Sequence, residues 1–331
     1  VAGSNGTIEL QVVDRVLAGE NPVNGYSAIK QLVEGVLAGV ILCLAIAALY
    51  AQLIRTVRKE SDMKKITSKG CISLIPEIAV KKREKSKKQQ LLLTNKRVDW
   101  GFKQSVQAAQ LRIEKQMEQE HKQVLLVSST LPQEGKSMTA VNLALAFMQH
   151  EKKTVLIDGD LRKPSVAEML GMEEQKGLAE YLKGNAKVKE VLQKKGDLTV
   201  IQGGKVHGNI SSLMDESRME ELMTFLKSEF DYVIIDTPPA YLFSDAAILA
   251  GYADRVLYVV RHDMAEIPQI EKGMESFIQE DKLLGYLINR SQKGFASYGK
   301  YGYGKYGYGK YGKYQRYVDV KEDDMDTEDS L

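Results

Sequence analysis

Three polar segments of this sequence carry residue types that can handle phosphate groups. Gly135-Lys136-Ser137 follows the apolar run of residues 124–128 and precedes a helical stretch, residues 138–149. Backbone N–H groups at such a turn bind phosphate oxygens, while the lysine and the hydroxyl reach the outer phosphates and Mg²⁺. The usual pattern has another glycine five residues before Gly135, where Thr130 stands. The loop alone is therefore an imperfect match to a phosphate-binding loop.

Three aspartates stand at the ends of two further apolar runs. Asp158 and Asp160 end the run TVLIDGD, and Asp236 ends the run FDYVIID. Because the carboxyl ends of parallel strands face the crevice where ligands bind, these carboxylates are expected to lie near the loop. Each aspartate alone could instead cap a helix or a turn. Three of them downstream of one Gly-Lys-Ser loop favour a site for a nucleoside triphosphate.

The elements that must position these residues follow from the apolar pattern. Further strands are predicted at residues 198–202, 255–260 and 284–289, with helical stretches between most of the strands. This alternation predicts an α/β protein with a mainly parallel sheet flanked by helices. Residues 121–294 are accordingly predicted to form a P-loop NTPase domain.

The three segments together, LPQEGKS, IDGDLRKP and VIIDTPP, resemble those of the bacterial tyrosine kinases, a family related to Min-type and Par-type ATPases. The later stretches SDAAILAGYADRVLYVVR and LINR resemble the same family. Residues 61–78 resemble the junction that joins a polysaccharide chain-length determinant region to its kinase. The resemblance covers roughly residues 18–289 and also the tail described below. It implies a protein-tyrosine autokinase that acts with proteins of capsular or extracellular polysaccharide synthesis and export.

The resemblance also implies roles for individual residues, with ATP and Mg²⁺ as cofactors. Asp158 would be the base that faces the acceptor hydroxyl, and Lys136 and Asp160 would complete the catalytic set. Mg²⁺ would be held by Ser137, Asp160 and Asp236. The predicted nucleotide-binding residues are Pro132, Glu134, Gly135, Lys136, Ser137, Met138 and Asn289. Arg162 either orients a phosphate or a neighbouring carboxylate, or is a surface cation.

Upstream of this domain, residues 35–54 form an uncharged apolar run, GVLAGVILCLAIAALYAQLI. Twenty residues of helix span about 30 Å, the thickness of a hydrocarbon core, so residues 33–54 are predicted to form a transmembrane helix. A buried core helix and a signal peptide are the alternatives. Cations concentrate after the run, which places residues 1–32 outside as an extracytoplasmic stub and the rest in the cytoplasm. The single helix, the short stub and the first residue, Val1, favour a truncated sequence.

Residues 55–120 are predicted to be a basic cytoplasmic linker followed by a helix that precedes the domain. Residues 55–99 contain fourteen lysines and arginines against five acidic residues, an excess of nine positive charges. This charge either binds anionic membrane lipid or belongs to a solvated linker. No aromatic residues interleave with the basic run, so nucleic acid is not an expected partner. The family's Glu-x-x-Arg-x-x-Arg motif keeps only Arg112, so ring assembly of neighbouring copies is weakly supported.

The aromatic composition is uneven, with sixteen tyrosines against seven phenylalanines and one tryptophan. Half of the tyrosines stand in residues 298–317, YGKYGYGKYGYGKYGKYQRY, within a predicted disordered tail, residues 295–331. By itself this segment favours an adhesive low-complexity tail. Joined to a kinase of this family, it is implied to be the phosphoacceptor of neighbouring copies. The predicted acceptors are Tyr298, Tyr301, Tyr303, Tyr306, Tyr308, Tyr311, Tyr314 and Tyr317.

The composition excludes some classes of protein and leaves two other functions open. Hydrophobic residues at 44% and charged residues at 27% exclude a wholly disordered chain, and two cysteines exclude a disulfide scaffold. A Min-type or Par-type ATPase that acts as a membrane switch is the first alternative. Such ATPases usually carry an additional lysine early in the loop, where this chain has Thr130 and Leu131. The second alternative is a scaffold whose nucleotide site serves only assembly.

Overall fold

A computed structural model of the chain describes residues 28–53, 55–78, 91–205 and 216–291. The tail with its eight predicted acceptor tyrosines, most of the predicted stub and the basic run of residues 81–88 lie outside these ranges. The chain divides into two compact units, of which the first ends at Arg55 and the second begins at Thr56.

The first unit contains one long apolar helix, α1 (Ala28–Leu53). An 18-residue window within its segment Ala28–Leu49 has a mean hydropathy of 2.6 and is not buried by any other part of the structure. Its length and composition are sufficient to cross a membrane. The helix begins before the predicted boundary at residue 33.

The second unit is built on an eight-stranded sheet with the order β1-β8-β7-β2-β6-β3-β5-β4. All neighbouring strands are parallel except β4 and β5. The prediction of a mainly parallel sheet is confirmed, and so are the six predicted strands. In chain order the strands are β1 (Cys71–Pro76), β2 (Val124–Ser129), β3 (Thr154–Asp158), β4 (Gln193–Lys195), β5 (Leu198–Ile201), β6 (Tyr232–Asp236), β7 (Arg255–Arg261) and β8 (Leu283–Ser291).

Helices cover both faces of this sheet. Val124 and Leu126 of β2 belong to one buried apolar cluster, and Leu125 and Val127 belong to the other, because successive strand residues point to opposite faces. Helices α3, α4 and α5 pack in the second cluster, and α6, α8, α9 and α10 pack in the first. The helices of this unit are α2 (Glu60–Met63), α3 (Trp100–Gln119), α4 (Lys136–Gln149), α5 (Val166–Leu170), α6 (Leu178–Leu182), α7 (Val188–Val191), α8 (Glu216–Glu229), α9 (Asp245–Ala250) and α10 (Ile267–Gln279).

The sheet contains two strands that the sequence interpretation does not predict, β1 and β4. Strand β1 lies within residues 55–120, and the interpretation of this segment as a linker is wrong for Cys71–Pro76. These residues pair in parallel with β8 at the edge of the sheet and bury Ile72 and Ile75. A six-residue strand that ends in proline beside a highly charged run gives a weak local signal, so its pairing partner decides its structure.

The first residues after Arg55 also belong to the folded core. Val57 and Met63 are fully buried. The Val57 carbonyl accepts a hydrogen bond of 2.8 Å from the backbone N–H of Asp263, and Arg58 Nε lies 2.8 Å from Asp263 Oδ1. The chain therefore contacts the loop after β7 as soon as the second unit begins.

The predicted helix before the domain is α3, and one face of it is apolar. Phe102, Val106, Ala109 and Ile113 recur every three or four residues and are buried. Arg112 Nη1 donates a 2.6 Å hydrogen bond to the carbonyl of Ile72 in β1. The one residue that remains of the family's ring motif thus contacts a strand of its own chain.

The packing between β1 and β8 generates a stability prediction. A Cβ atom at Gly285 would lie 2.7 Å from the Gly70 carbonyl oxygen and 2.9 Å from Ile72 Cγ1. We expect Gly285→Ala to lower the free energy of unfolding by about 1–3 kcal/mol through overpacking. Urea denaturation of the full chain in detergent micelles measures the change.

The matched control is Gly70→Ala, since a Cβ atom at Gly70 meets nothing within 4 Å. Equal stabilities of the two variants would contradict the close approach of β1 to β8.

Candidate active site

The loop between β2 and α4 contains a glycine whose conformation other residues adopt only with strain. Gly135 has a φ of 96° and precedes the first residue of α4. The side-chain nitrogen Nδ2 of Asn289, near the end of β8, donates a 2.7 Å hydrogen bond to the carbonyl of Glu134. A Cβ atom at Gly135 would collide with this asparagine side chain. Two independent constraints therefore require glycine at this position.

The side chain of Glu134 is buried beneath the loop. Its Oε2 accepts a 2.6 Å hydrogen bond from the backbone N–H of Leu131, and Oε1 accepts one of 3.2 Å from that of Arg261 at the end of β7. Burial raises the pKa of Glu134 to about 7, although these backbone N–H groups oppose the rise. The carboxylate thus holds the loop to β7, and only the backbone of Glu134 is left to contact a nucleotide.

Thr130, which replaces the first glycine of the usual pattern, is fully buried. Its hydroxyl lies 3.2 Å from the hydroxyl of Tyr258 in β7, within hydrogen-bonding distance. The departure from the pattern is therefore accommodated by a contact with the neighbouring strand.

Lys136 brings together the predicted phosphate and metal residues. Its Nζ lies 2.8 Å from Asp160 Oδ2 and 3.6 Å from Asp236 Oδ1, and it donates a 3.1 Å hydrogen bond to Ser137 Oγ. Burial lowers the pKa of Lys136, but the attraction of Asp236 and Asp160 outweighs this effect and raises it. The loop lysine is thus a buried cation neutralised by aspartates from two strand ends.

Asp236 and Asp158 are register partners in adjacent parallel strands, β6 and β3. Asp236 is completely buried, and neither of its carboxylate oxygens has a hydrogen-bond partner within the described part of the chain. Burial raises the pKa of Asp236, while the Lys136 ammonium group opposes the rise. Two oxygen atoms therefore face the site with unused capacity to bind a cation or a proton.

Asp158 combines a structural contact with a free oxygen atom. Its Oδ2 accepts hydrogen bonds of 2.9 and 3.0 Å from the backbone N–H groups of Ser165 and Val166, at the start of α5. Its Oδ1 is buried and, among the described residues, has no partner. Burial, followed by repulsion from Asp236, raises the pKa of Asp158 to about 7. The capping interpretation is therefore correct for one oxygen, and the other remains available for chemistry.

Arg162 contacts a carboxylate that the sequence interpretation did not single out. The guanidinium group binds Asp245 with Nε–Oδ2 and Nη2–Oδ1 distances of 2.6 and 3.1 Å. The interpretation of Arg162 as an orienting residue for a carboxylate is therefore favoured over that of a surface cation. Asp245 follows a serine at the start of a helix, where acidic residues are common, so its local pattern gives no sign of this pairing.

The remaining predicted nucleotide-binding residues lie around the same loop. Pro132 is exposed at the tip of the loop, and Met138 is half-buried in the first turn of α4. The amide oxygen of Asn289 accepts a 2.9 Å hydrogen bond from the backbone N–H of Arg290. The structure thus gathers all of the predicted nucleotide and metal residues at the carboxyl edge of the sheet.

The donor set suits Mg²⁺ bound together with a nucleotide. Within the described ranges, no three His, Cys, Asp or Glu side chains form a ready-made metal cage. Mg²⁺ in nucleotide sites usually takes one or two carboxylates and completes its shell with phosphates and waters. The oxygens of Asp236, which accept no hydrogen bond from the described residues, and the hydroxyl of Ser137 are hard oxygen donors of this kind.

The chain is similar to known proteins over the residues that carry this site. The ParA family model, described as NUBPL iron-transfer P-loop NTPase, matches residues 120–249. Tyrosine-protein kinase CpsD of Streptococcus agalactiae is 35% identical over 183 residues, which are 54% of this chain and 80% of that kinase. The chain belongs to the bacterial tyrosine kinases. Tyrosine-protein kinase YwqD of Bacillus subtilis is 35% identical over 182 residues, 54% of this kinase and 77% of the relative.

The fold of this kinase is also that of a solved relative. The kinase domain of the Escherichia coli tyrosine kinase ETK superimposes with a TM-score of 0.63 at 23% identity, covering 76% of this chain and 99% of that domain. The predictions of a P-loop NTPase fold and of a protein-tyrosine kinase are confirmed. The fold implies that the loop binds a nucleotide.

The raised pKa of Asp158 generates a pH-dependent prediction for the nucleotide-free protein. The carboxyl has an ordinary pKa of 3.8 and titrates at about 7 in the fold, so the folded state binds the proton more tightly. The free energy of unfolding therefore falls as the pH rises between these two values. Asp158→Asn removes this penalty and keeps an acceptor for the N–H groups of Ser165 and Val166. We expect it to raise the melting temperature at pH 8, and to raise it less at pH 5.

Each kcal/mol corresponds to a shift of about 2–4 °C in a unit of this size, which differential scanning calorimetry resolves. The control is Asp197→Asn, which makes the same substitution at an exposed position. An Asp158→Asn variant that is less stable than the parent at pH 8 would contradict the raised pKa of Asp158.

Proposed function

We propose that this kinase transfers the γ-phosphoryl group of Mg·ATP to tyrosines of its own C-terminal tail, in trans between neighbouring copies. The observation that supports this most is the buried contact of Lys136 with Asp160 and Asp236 at the loop. We also propose that the reaction regulates the synthesis and export of a capsular or extracellular polysaccharide. That context rests on the resemblance of residues 61–78 to a chain-length determinant junction.

Nucleotide binding would exchange the partners of Lys136. The ammonium group is held by two aspartates at 2.8 and 3.6 Å. The β- and γ-phosphates would attract Lys136, and the N–H groups around Gly135 and at the start of α4 would bind the phosphate oxygens. Asp160 and Asp236 would then be free to hold Mg²⁺ with Ser137. Mg²⁺ held there would neutralise charge on the transferred phosphoryl group.

Phosphoryl transfer requires a proton acceptor beside the tyrosine, and Asp158 has the properties of one. The phenolic oxygen forms a bond to the γ-phosphorus while the bond to the β–γ bridging oxygen breaks and ADP leaves. The phenolic proton passes to Oδ1 of Asp158, the oxygen that makes no hydrogen bond to the described residues. A pKa of about 7 makes this carboxylate a better base at neutral pH than an ordinary aspartate.

The tail begins where the active edge of the sheet ends. β8 ends at Ser291, two residues after Asn289, and Tyr298 follows seven residues later. A flexible glycine-rich chain of twenty residues has an end-to-end distance of about 25 Å, and the proposal requires an adjacent subunit's site within that reach. Five cations among the tyrosines would favour entry into a crevice lined by aspartates.

Membrane anchoring through α1 completes the proposal. Among the residues that follow the helix, Arg55, Lys59 and Lys65 are exposed. Cations beside a membrane helix favour the cytoplasmic face and attract anionic lipid headgroups. The second unit and the tail would therefore face the cytoplasm.

The test of catalysis uses the full chain in detergent with labelled ATP and Mg²⁺. We expect label on tyrosine, and loss of at least about 100-fold in Lys136→Met, because the lysine stabilises the transferring phosphoryl group. A variant with all eight tail tyrosines changed to Phe should lose the label but still hydrolyse ATP slowly. Hydrolysis by the parent without any label would instead indicate a Min-type or Par-type switch.

Mixing the two variants separates transfer in trans from transfer in cis. The Lys136→Met chain carries acceptors without catalysis, and the eight-Phe chain carries catalysis without acceptors. Transfer in trans requires label on the Lys136→Met chain in the mixture. A parent that labels itself while the mixture stays unlabelled would refute the trans mechanism.

The test of topology adds a protease to intact spheroplasts that produce the full chain. We expect the second unit to resist digestion until the membrane is opened with detergent, because it would lie on the cytoplasmic side. Digestion of the second unit in sealed spheroplasts would reverse the predicted orientation.

A further inference from the structure

The Arg162–Asp245 ion pair is bidentate, and its carboxylate is almost fully buried. Its two hydrogen bonds, of 2.6 and 3.1 Å, join the planar edges of a guanidinium and a carboxylate. The side chain of Asp245 is only 2% exposed and that of Arg162 is 33% exposed. The guanidinium carbon also lies 4.2 Å from the centre of the Phe243 ring. Two hydrogen bonds and a ring contact together restrict the position and the plane of the arginine.

The pair joins the two loops that carry the catalytic carboxylates. Arg162 belongs to the loop that leaves β3 with Asp158 and Asp160, and Asp245 lies beyond the loop that leaves β6 after Asp236. The two strands are neighbours in the sheet. Between these loops there is also a 2.8 Å hydrogen bond from the backbone N–H of Gly159 to the carbonyl of Asp236. The side-chain pair is therefore a second connection, between the loop after β3 and the start of α9, the helix that follows β6.

The Arg162–Asp245 connection opposes electrostatic repulsion between the carboxylates at the ends of β3 and β6. Asp158, Asp160 and Asp236 converge from the two loops, and Lys136 is the one cation that forms an ion pair with any of them in the described part of the chain. Like charges in a buried site repel strongly because water does not screen them. If a bound triphosphate attracted Lys136, the repulsion between the two loops would rise further in the absence of a bound metal ion.

We infer that Arg162 is a positioning residue for the phosphoryl-transfer reaction, which holds the loop of Asp158 and Asp160 in register with Asp236 by binding Asp245 and the face of Phe243. It does not touch the substrate in this role. It sets the spacing of the three carboxylates, and so the affinity for Mg²⁺ and the alignment of the base. The inference rests on the roles proposed above for these three aspartates.

The first test changes the hydrogen-bond geometry of the pair and preserves its positive charge. Arg162→Lys keeps the cation but cannot make two parallel hydrogen bonds to Asp245. We expect kcat for tyrosine phosphorylation by the full chain to fall about 10- to 100-fold, the range for a misplaced catalytic group. KM for ATP should change less than about threefold, because the loop around Gly135 is untouched. The Mg²⁺ concentration for half-maximal rate should rise.

Asp245→Asn tests the other partner, and the double variant tests their coupling. Asparagine keeps the shape of Asp245 and one acceptor oxygen, so kcat should fall by a smaller factor than in Arg162→Lys. If the two residues act as one unit, the loss in the double variant is smaller than the product of the two single losses. Losses that multiply, or an unchanged half-maximal Mg²⁺ concentration, would overturn the inference.

The matched control is Arg255→Lys at the opposite edge of the sheet. Arg255 Nε lies 2.5 Å from Glu120 Oε2, and Nη1 donates a 2.6 Å hydrogen bond to the Asp281 carbonyl. This variant loses a similar pair far from the strand ends that carry the aspartates. It should lower the melting temperature about as much as Arg162→Lys and leave kcat and the Mg²⁺ dependence unchanged. Equal kinetic losses in both variants would assign Arg162 a purely structural role.

The parent enzyme separates this inference from the proposed function. If the parent phosphorylates tyrosine and the Arg162 variants have the same kcat and Mg²⁺ dependence as the parent, only the positioning role is refuted. A parent without tyrosine phosphorylation refutes the proposed function and the positioning role with it.

Discussion

The ammonium group of Lys136 lies 2.8 Å from Asp160 and 3.6 Å from Asp236, and all three residues are buried. Removing such charges from water costs several kcal/mol for each ion, and the ion pairs offset only part of it. Asp158 adds a further carboxylate, whose pKa rises to about 7. The packing of the surrounding structure has to offset this free-energy cost of burying charge. A bound nucleotide and cation would offset a further part of it.

The sheet supplies that support through strands that are distant in the chain. β7 and β8 follow one another beside β2 in the sheet, and their ends carry the contacts that hold the loop. The backbone N–H of Arg261 binds the buried carboxylate of Glu134, and the side chain of Asn289 binds its carbonyl. On the other side of β2, β6 and β3 bring Asp236 and Asp158 into register. The loop is thus held from one side and faces the carboxylates on the other.

The segment between the apolar helix and the kinase core has a larger structural role than its composition suggests. Val57 and Met63 are fully buried, and β1 extends the sheet beyond β8. Because β8 also carries Asn289, the strand that follows the apolar helix pairs directly with the strand that closes the phosphate-binding loop. A charged linker would carry no such connection between the start of the kinase unit and its active edge.

The residues that could be predicted are those whose function shows in a short stretch of sequence. Buried strands of four to seven apolar residues, the Gly-Lys-Ser turn and the aspartates at strand ends identified the α/β fold and the three polar segments of the site. Their spacing suffices because apolar strands bury both faces and strand ends converge at one edge. The sequence by itself thus determined which polar residues meet at this edge. Only the tertiary structure decided that β1 joins the sheet, that Glu134 faces inward, and that Arg162 binds Asp245. Each of these depends on a partner 80 or more residues away in the chain. Glu134 also has one local partner, the backbone N–H of Leu131. A local sequence pattern does not indicate which distant group will pair with a buried charge.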